Sequence, residues 1–94
     1  MNAMTNEKEL IRQFVIEKLA RAKKINHIDD QDNLIENGII DSLGVMQLVA
    51  YLEGTFAVKV KDEDIIPDYF ESLDAISNYI ERLRQPSING ETNE

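Results

Sequence analysis

The chain has 94 residues, a net charge of -8 and no cysteine. It is sized for one modest core rather than a core plus a large catalytic cleft, and it offers neither a disulfide framework nor a thiolate metal site. The charge is uneven: residues 1–24 hold six basic and three acidic side chains, and the other fifteen acids lie beyond them. Such an acidic balance argues against nucleic acid, whose phosphates need a basic surface, and suits solubility or steering toward basic partners.

The polar start Met1-Asn2-Ala3-Met4-Thr5-Asn6 does not resemble a signal sequence, and no apolar run is long enough to span a bilayer. The expectation is a cytoplasmic, monomeric protein with one domain over residues 1–84 and a disordered tail over 85–94. Leu10, Ile11, Phe14, Val15 and Leu19 recur at three- and four-residue intervals, which predicts an amphipathic helix from about Thr5 to Ala22. Thr5 is the candidate cap, Lys8 is expected to be exposed, and Lys23-Lys24 fits the negative pole of the helix.

Residues 25–41 read as a long ordered loop. Ile25, Ile28, Leu34, Ile39 and Ile40 are its apolar anchors, and Asn37-Gly38 is a turn where positive φ is cheap. Asp41 or Ser42 caps a second helix to about Phe56. Its core face is Val45, Leu48, Val49, Leu52 and Phe56, and Leu43, Met46 and Ala50 form a second apolar arc. So short a chain cannot surround this helix, so the second arc is presented outward.

Val58 and Val60 alternate with lysines but have no strand to pair with, and they read as an extended connection. Asp62-Glu63-Asp64 starts a short turn, Pro67 ends it or opens the next, and Tyr69 and Phe70 dock nearby. Ser72 caps a last helix, about Leu73 to Leu83, with Leu73, Ile76, Ile80 and Leu83 as its stripe. The fold class is all-α, a small bundle of three main helices and one short one.

Few residues can carry chemistry. His27 is the only histidine, and no serine sits in a nucleophile-elbow motif. Asp29-Asp30-Gln31-Asp32-Asn33 lacks the glycine and glutamate spacing of a calcium loop. The contiguous Asp62-Glu63-Asp64 suits a helix start better than a metal site. Ser42 remains. A serine after aspartate at a helix start is ordinarily a cap, yet free N–H groups and the positive helix end also favour a phosphate there, by roughly 0.3–1 kcal/mol.

The run Leu34-Ile35-Glu36-Asn37-Gly38-Ile39-Ile40-Asp41-Ser42-Leu43, continued by Leu48, Leu52-Glu53, Phe56, Val60, Asp62-Glu63-Asp64-Ile65, Phe70, Ser72, Ile76, Tyr79 and Ile80, resembles the acyl carrier protein family over residues 7–84. The resemblance implies a non-catalytic carrier. A phosphopantetheinyl transferase would use coenzyme A to attach a 4'-phosphopantetheine arm to Ser42, and the arm's thiol would hold an acyl or aminoacyl thioester. It also implies that Asp41, Leu43 and Met46 meet partner enzymes: the transferase, a loading ligase or acyltransferase, and a synthase or other acyl-processing enzyme.

Carriers of fatty acid synthesis have acids along the helix after the serine, whereas Glu53 is the only charge on this one. Gly44 and Gln47, with Glu36 and Gly38, look more like stand-alone D-alanine carriers loaded by an adenylating ligase. A fatty acid, polyketide or specialised ligase-dependent pathway is left open. So is the lining of any acyl cleft, for which Leu48, Ala50, Ile65 and Ile66 are the candidates. The alternative is an unmodified helical interaction domain that uses the Leu43/Met46 face.

Overall fold

The structure, a computed structural model, describes residues 3–20 and 23–85. Helix α1 spans Ala3–Phe14 and runs on into a π-helical turn, Val15–Leu19, which closes where the Ala20 N–H donates to the Val15 carbonyl at 2.8 Å. Helix α2 is Ser42–Phe56, a 3-10 turn covers Asp62–Asp64, α3 is Pro67–Phe70 and α4 is Leu73–Arg84. No strand forms among the described residues. The all-α reading therefore holds, and Val58–Val60 is the extended connection expected of it. The tail from Pro86 onward lies outside the described residues.

The core is assembled from the expected periodicities. Ile11 and Val15 of α1, Leu48, Val49 and Leu52 of α2, and Leu73, Ile76, Tyr79 and Ile80 of α4 are buried together, with Phe70 of α3 between them. Val45 and Phe56 are only partly buried and pack on its margin, as does Leu83. Phe14 stacks on Tyr51 with ring centroids 4.1 Å apart, and the Tyr51 hydroxyl donates to the Leu10 carbonyl at 3.3 Å. These contacts tie α1 to α2.

The first helix departs from its sequence reading at three points. It begins at Ala3, so Thr5 lies inside it rather than at its cap. Leu10 is 45 % exposed because it sits at the edge of the stripe centred on Ile11 and Val15. Lys8, expected in solvent, lies one turn before Ile11 on the inward side and is half-buried. Its Nζ meets Asp74 at 2.7 Å and Asp30 at 3.4 Å. Arg12 also pairs with Asp30, and the buried Glu7 pairs with Arg84, so charged groups staple α1 to the loop and to α4. The π-helical turn ends at Leu19 with Lys18 in its last turn, and Lys23 is a 3-10 residue beyond it whose N–H donates to the Ala20 carbonyl at 3.0 Å. Ala22, the expected end, is outside the described residues.

The loop from Ile25 to Asp41 is held by its own side chains. Ile28, Leu34, Ile39 and Ile40 are buried and Ile25 partly so. Its backbone is bonded across the fold: the Leu34 N–H donates to the Glu71 carbonyl at 2.6 Å, and the Asp74 N–H to the Asp30 carbonyl at 3.0 Å. Asn33 Oδ1 accepts from the N–H groups of Ile35 and Glu36, and Gly38 turns the chain at φ +72°. A loop so anchored delivers Asp41 and Ser42 to a fixed place at the mouth of α2.

Candidate functional site

Sequence left open whether Asp41 or Ser42 caps α2. The structure assigns the cap to Asp41, in extended backbone, whose Oδ1 accepts from the Gly44 N–H at 2.8 Å. Ser42 is the first helical residue, exposed, and its hydroxyl has no hydrogen-bond partner among the described residues. The Val45 N–H is the first to bond back along the chain, to the Asp41 carbonyl at 2.8 Å. The N–H groups of Ser42 and Leu43 therefore sit at the positive end of the helix without an intrahelical acceptor.

Gly44 has a structural reason. It is buried, and a Cβ there would lie 3.3 Å from both Ile40 Cβ and Asp41 Oδ1. The glycine thus lets the helix start close down on the buried end of the loop, and it faces inward rather than toward an approaching molecule. Gln47 faces solvent. An acid at position 44 would have no outward surface to serve, which narrows the departure from acid-rich carriers to Gln47 and the residues beyond it.

Ser42 stands on the rim of an apolar groove of about 520 Å³. Its α2 wall is Val45 and Met46, and its opposite wall is Ile65, Ile66, Pro67 and Phe70. Ile35 and Ile40 lie at the loop end, and Gly38 and Asp41 complete the lining. A volume of this size lies within the range of small-molecule pockets. Ile65 and Ile66 take the cleft position expected of them, but Leu48 and Ala50 do not. Leu48 is wholly buried in the core and Ala50 points to solvent. Ile35 and Phe70 were not foreseen as lining residues, because an apolar residue beside a core anchor reads as one more anchor until the backbone is known.

Outside the groove, Leu43 is 67 % and Met46 51 % exposed, and Ala50 continues the same outward face. Met46 belongs to both surfaces. The presented arc is real, and it flanks the serine.

Other candidates resolve as structure. His27 is exposed, with Nε2 2.6 Å from Asp29 Oδ1. Asp30 is engaged with Lys8 and Arg12, Asp32 accepts from the Asp29 N–H, and Asn33 makes its turn. Asp64 accepts from the Tyr79 hydroxyl. No group of three metal-ligating side chains gathers among the described residues.

A model of the phosphopantetheine attachment site family matches residues 9–80. The chain belongs to that family of carrier domains. Among curated proteins it is similar to the D-alanyl carrier proteins of Streptococcus pyogenes serotypes M5 (strain Manfredo), M49 (strain NZ131) and M1. Each is 32 % identical over 76 residues, which is 79 % of this chain and 95 % of the relative. A carrier domain of this kind is not a catalyst; it carries covalently attached 4'-phosphopantetheine and works through the transferase that installs it and the enzymes that process its acyl group.

The residues fit such a group on this carrier domain. A serine hydroxyl is exposed and released from capping, two N–H groups at a helix N-terminus suit a phosphate, and an apolar groove opens beside it. No described helix is long and apolar enough to cross a membrane.

Proposed function

We propose that Ser42 carries the 4'-phosphopantetheine arm and that the domain presents a ligase-loaded acyl or aminoacyl group to its partner enzymes. The observation that carries the reading is the division of labour at the head of α2: Asp41 closes the cap, so the Ser42 hydroxyl is spare at the point where a phosphodiester is best accommodated. In the attachment, Ser42 Oγ loses its proton and bonds to the phosphorus next to the pantetheine of coenzyme A, and adenosine bisphosphate leaves. Once bound, the arm supplies the thiol that this cysteine-free chain lacks. The unpaired backbone N–H groups of Ser42 and Leu43 then face the phosphate end, with Asp41 keeping the helix start closed, while Leu43 and Met46 offer partners an uncharged apolar contact.

Loading by an adenylating ligase is favoured by the similarity to D-alanyl carrier proteins along almost their whole length. The absence of charge from α2 up to Glu53 agrees with it. D-alanine is the first cargo to test. A second reading, an apolar acyl chain from a fatty acid or polyketide route, is favoured by the groove, whose lining has Asp41 as its only charged residue.

Intact-mass measurement after incubation with coenzyme A and a broad-specificity transferase tests the attachment. One phosphopantetheine should be gained, and Ser42→Ala should gain none. A wild-type protein left unmodified by several transferases, yet still binding partners through Leu43 and Met46, would replace this reading with an unmodified interaction domain. Offering the protein bearing the free arm D-alanine and ATP with an adenylating ligase, or acyl-coenzyme A with an acyltransferase, then separates the two cargoes by mass.

A further inference from the structure

The wall of the groove opposite α2 has little to hold it in place. Its backbone bonds are local: Asp64 to Lys61, Ile65 to Asp62, Ile66 to Asp64 and Tyr69 to Ile66. Its helices are a three-residue 3-10 turn and a four-residue α3, neither long enough to be stable by itself. Ile65 and Ile66 are only partly covered, so burial does not fix them as it fixes Phe70. Something else must keep this wall a groove's width away from Val45 and Met46.

One side chain of α4 reaches that wall at three points. Tyr79 is 3 % exposed, and its hydroxyl donates to Asp64 Oδ2 at 2.7 Å, immediately before Ile65. Its ring stacks on Tyr69 with centroids 4.6 Å apart and meets Phe70 edge-on at 5.7 Å. Asp64 lies just before the lining residues and Phe70 is the last of them, so a single ring clamps both ends of the wall. Arg82, one turn along α4, caps the stack 5.6 Å above the Tyr69 ring. A hydrogen bond from a buried donor to a carboxylate is among the stronger kinds.

We infer that Tyr79 is a positioning residue for the carrier's cargo: through Asp64, Tyr69 and Phe70 it holds the Ile65–Phe70 wall at the spacing that makes the groove beside Ser42 able to shelter an apolar chain. It touches neither the serine nor the groove. Tyr79→Phe keeps the ring and its stacking while deleting the bond to Asp64. The wall should then open locally, with the bundle intact.

Two measurements test this, and only the second rests on Ser42 bearing the arm. The first is amide hydrogen exchange on the full, unmodified chain. Tyr79→Phe and Asp64→Ala should each speed exchange at Ile65, Ile66 and Tyr69 by about tenfold while leaving Leu48–Leu52 of α2 unchanged. The double variant should be no worse than either single one, and Asp64→Asn, which keeps an acceptor, should lie nearer the wild type. The second is thioester hydrolysis, with the domain loaded from octanoyl- or acetyl-coenzyme A. The octanoyl ester should hydrolyse about threefold faster or more in Tyr79→Phe, and the acetyl ester at the wild-type rate.

Uniformly faster exchange along the chain would make Tyr79 an ordinary core residue and overturn the inference. So would additive single effects, or equal acceleration of the two esters. Failure of either acyl-coenzyme A to load would count against the attachment reading alone, since the exchange pattern would still decide the role of Tyr79.

Discussion

Replacing Asp41 and Ser42 in turn separates two roles that adjacent residues often share. Asp41→Ala deletes the 2.8 Å bond that Oδ1 receives from the Gly44 N–H. Losing an N-cap costs about 0.5–2 kcal/mol. Gly44 is buried, so its orphaned N–H is poorly placed to recruit water and the cost should fall in the upper half of that range, about 1–2 kcal/mol. For a domain of this size that lowers Tm by roughly 5–15 °C. Asp41→Asn keeps a capping oxygen and gives up only the carboxylate's attraction to the helix end, about 0.3–1 kcal/mol. Ser42→Ala removes an exposed hydroxyl without a partner and should change stability by no more than about 0.5 kcal/mol. Urea and thermal unfolding of the three variants give the ordering, and transferase labelling gives the complement: none for Ser42→Ala, retained for Asp41→Asn. If Ser42→Ala proved as destabilising as Asp41→Ala, the serine would be sharing the cap and would not be spare for a phosphodiester.

Glycine substitutions should sort by what surrounds them. Gly54→Ala meets open space within α2 and should stabilise by up to about 1 kcal/mol, whereas Gly44→Ala presses on Ile40 and the cap oxygen and should forfeit most or all of that gain in urea unfolding. Ala57 ends α2 at φ +57°, where glycine is at ease, so Ala57→Gly should raise Tm by a few degrees, about 0.5–1 kcal/mol. The Asp30 carboxyl is held below its ordinary pKa chiefly by the Arg12 hydrogen bond, with help from Lys8, and against desolvation. Its contribution is therefore present at neutral pH and lost as pH falls below about 4 toward the depressed folded value. Asp30→Asn should flatten the acid limb of a stability–pH curve there. Lys8 is raised, first by its hydrogen bond to Asp74, so its contribution is complete at neutral pH and fades only in strong alkali, above about pH 10.4. Both groups are partly solvated, which keeps each effect small.

Elements governed by spacing were legible before the structure. The α2 face of Leu48, Val49 and Leu52, the α4 stripe with its Ser72 cap to the Ala75 N–H at 3.0 Å, and the Gly38 turn all follow from local rules. The outward arc of Leu43, Met46 and Ala50 was legible for the same reason, since a short chain leaves one side of a central helix uncovered. What sequence could not give was set by contacts between distant residues. Lys8 looks like a surface lysine until Asp30 and Asp74 arrive from 22 and 66 residues away. Ile35 looks like one more anchor, and Phe70 like core alone, until the loop and α3 part to leave a groove that both also line, and Leu48 and Ala50 look like lining until α2 turns one inward and the other out. Tyr79 entered the sequence reading only through the family resemblance and gave no sign of its role, because its partner, Asp64, lies 15 residues away and not on that helix.

The same contacts explain how so small a domain exposes a serine hydroxyl at a helix start without loosening its core. Ile28, Leu34, Ile39 and Ile40 bury the loop, so its last residues arrive at α2 with nothing left to bury, and Gly44 lets that junction close without a side chain in the way. Capping is then met from outside the helix by Asp41, and the serine is left standing in solvent at the positive end. Stability and availability are thereby assigned to different residues one position apart. On the far side of the groove the assignment is repeated at longer range: Phe70 belongs to the core, Ile66 to the opening, and Tyr79 holds the distance between them. A cargo on Ser42 would meet a surface shaped by residues it never touches, which is why changes of cargo preference should be sought in Tyr79 and Asp64 as well as in the lining.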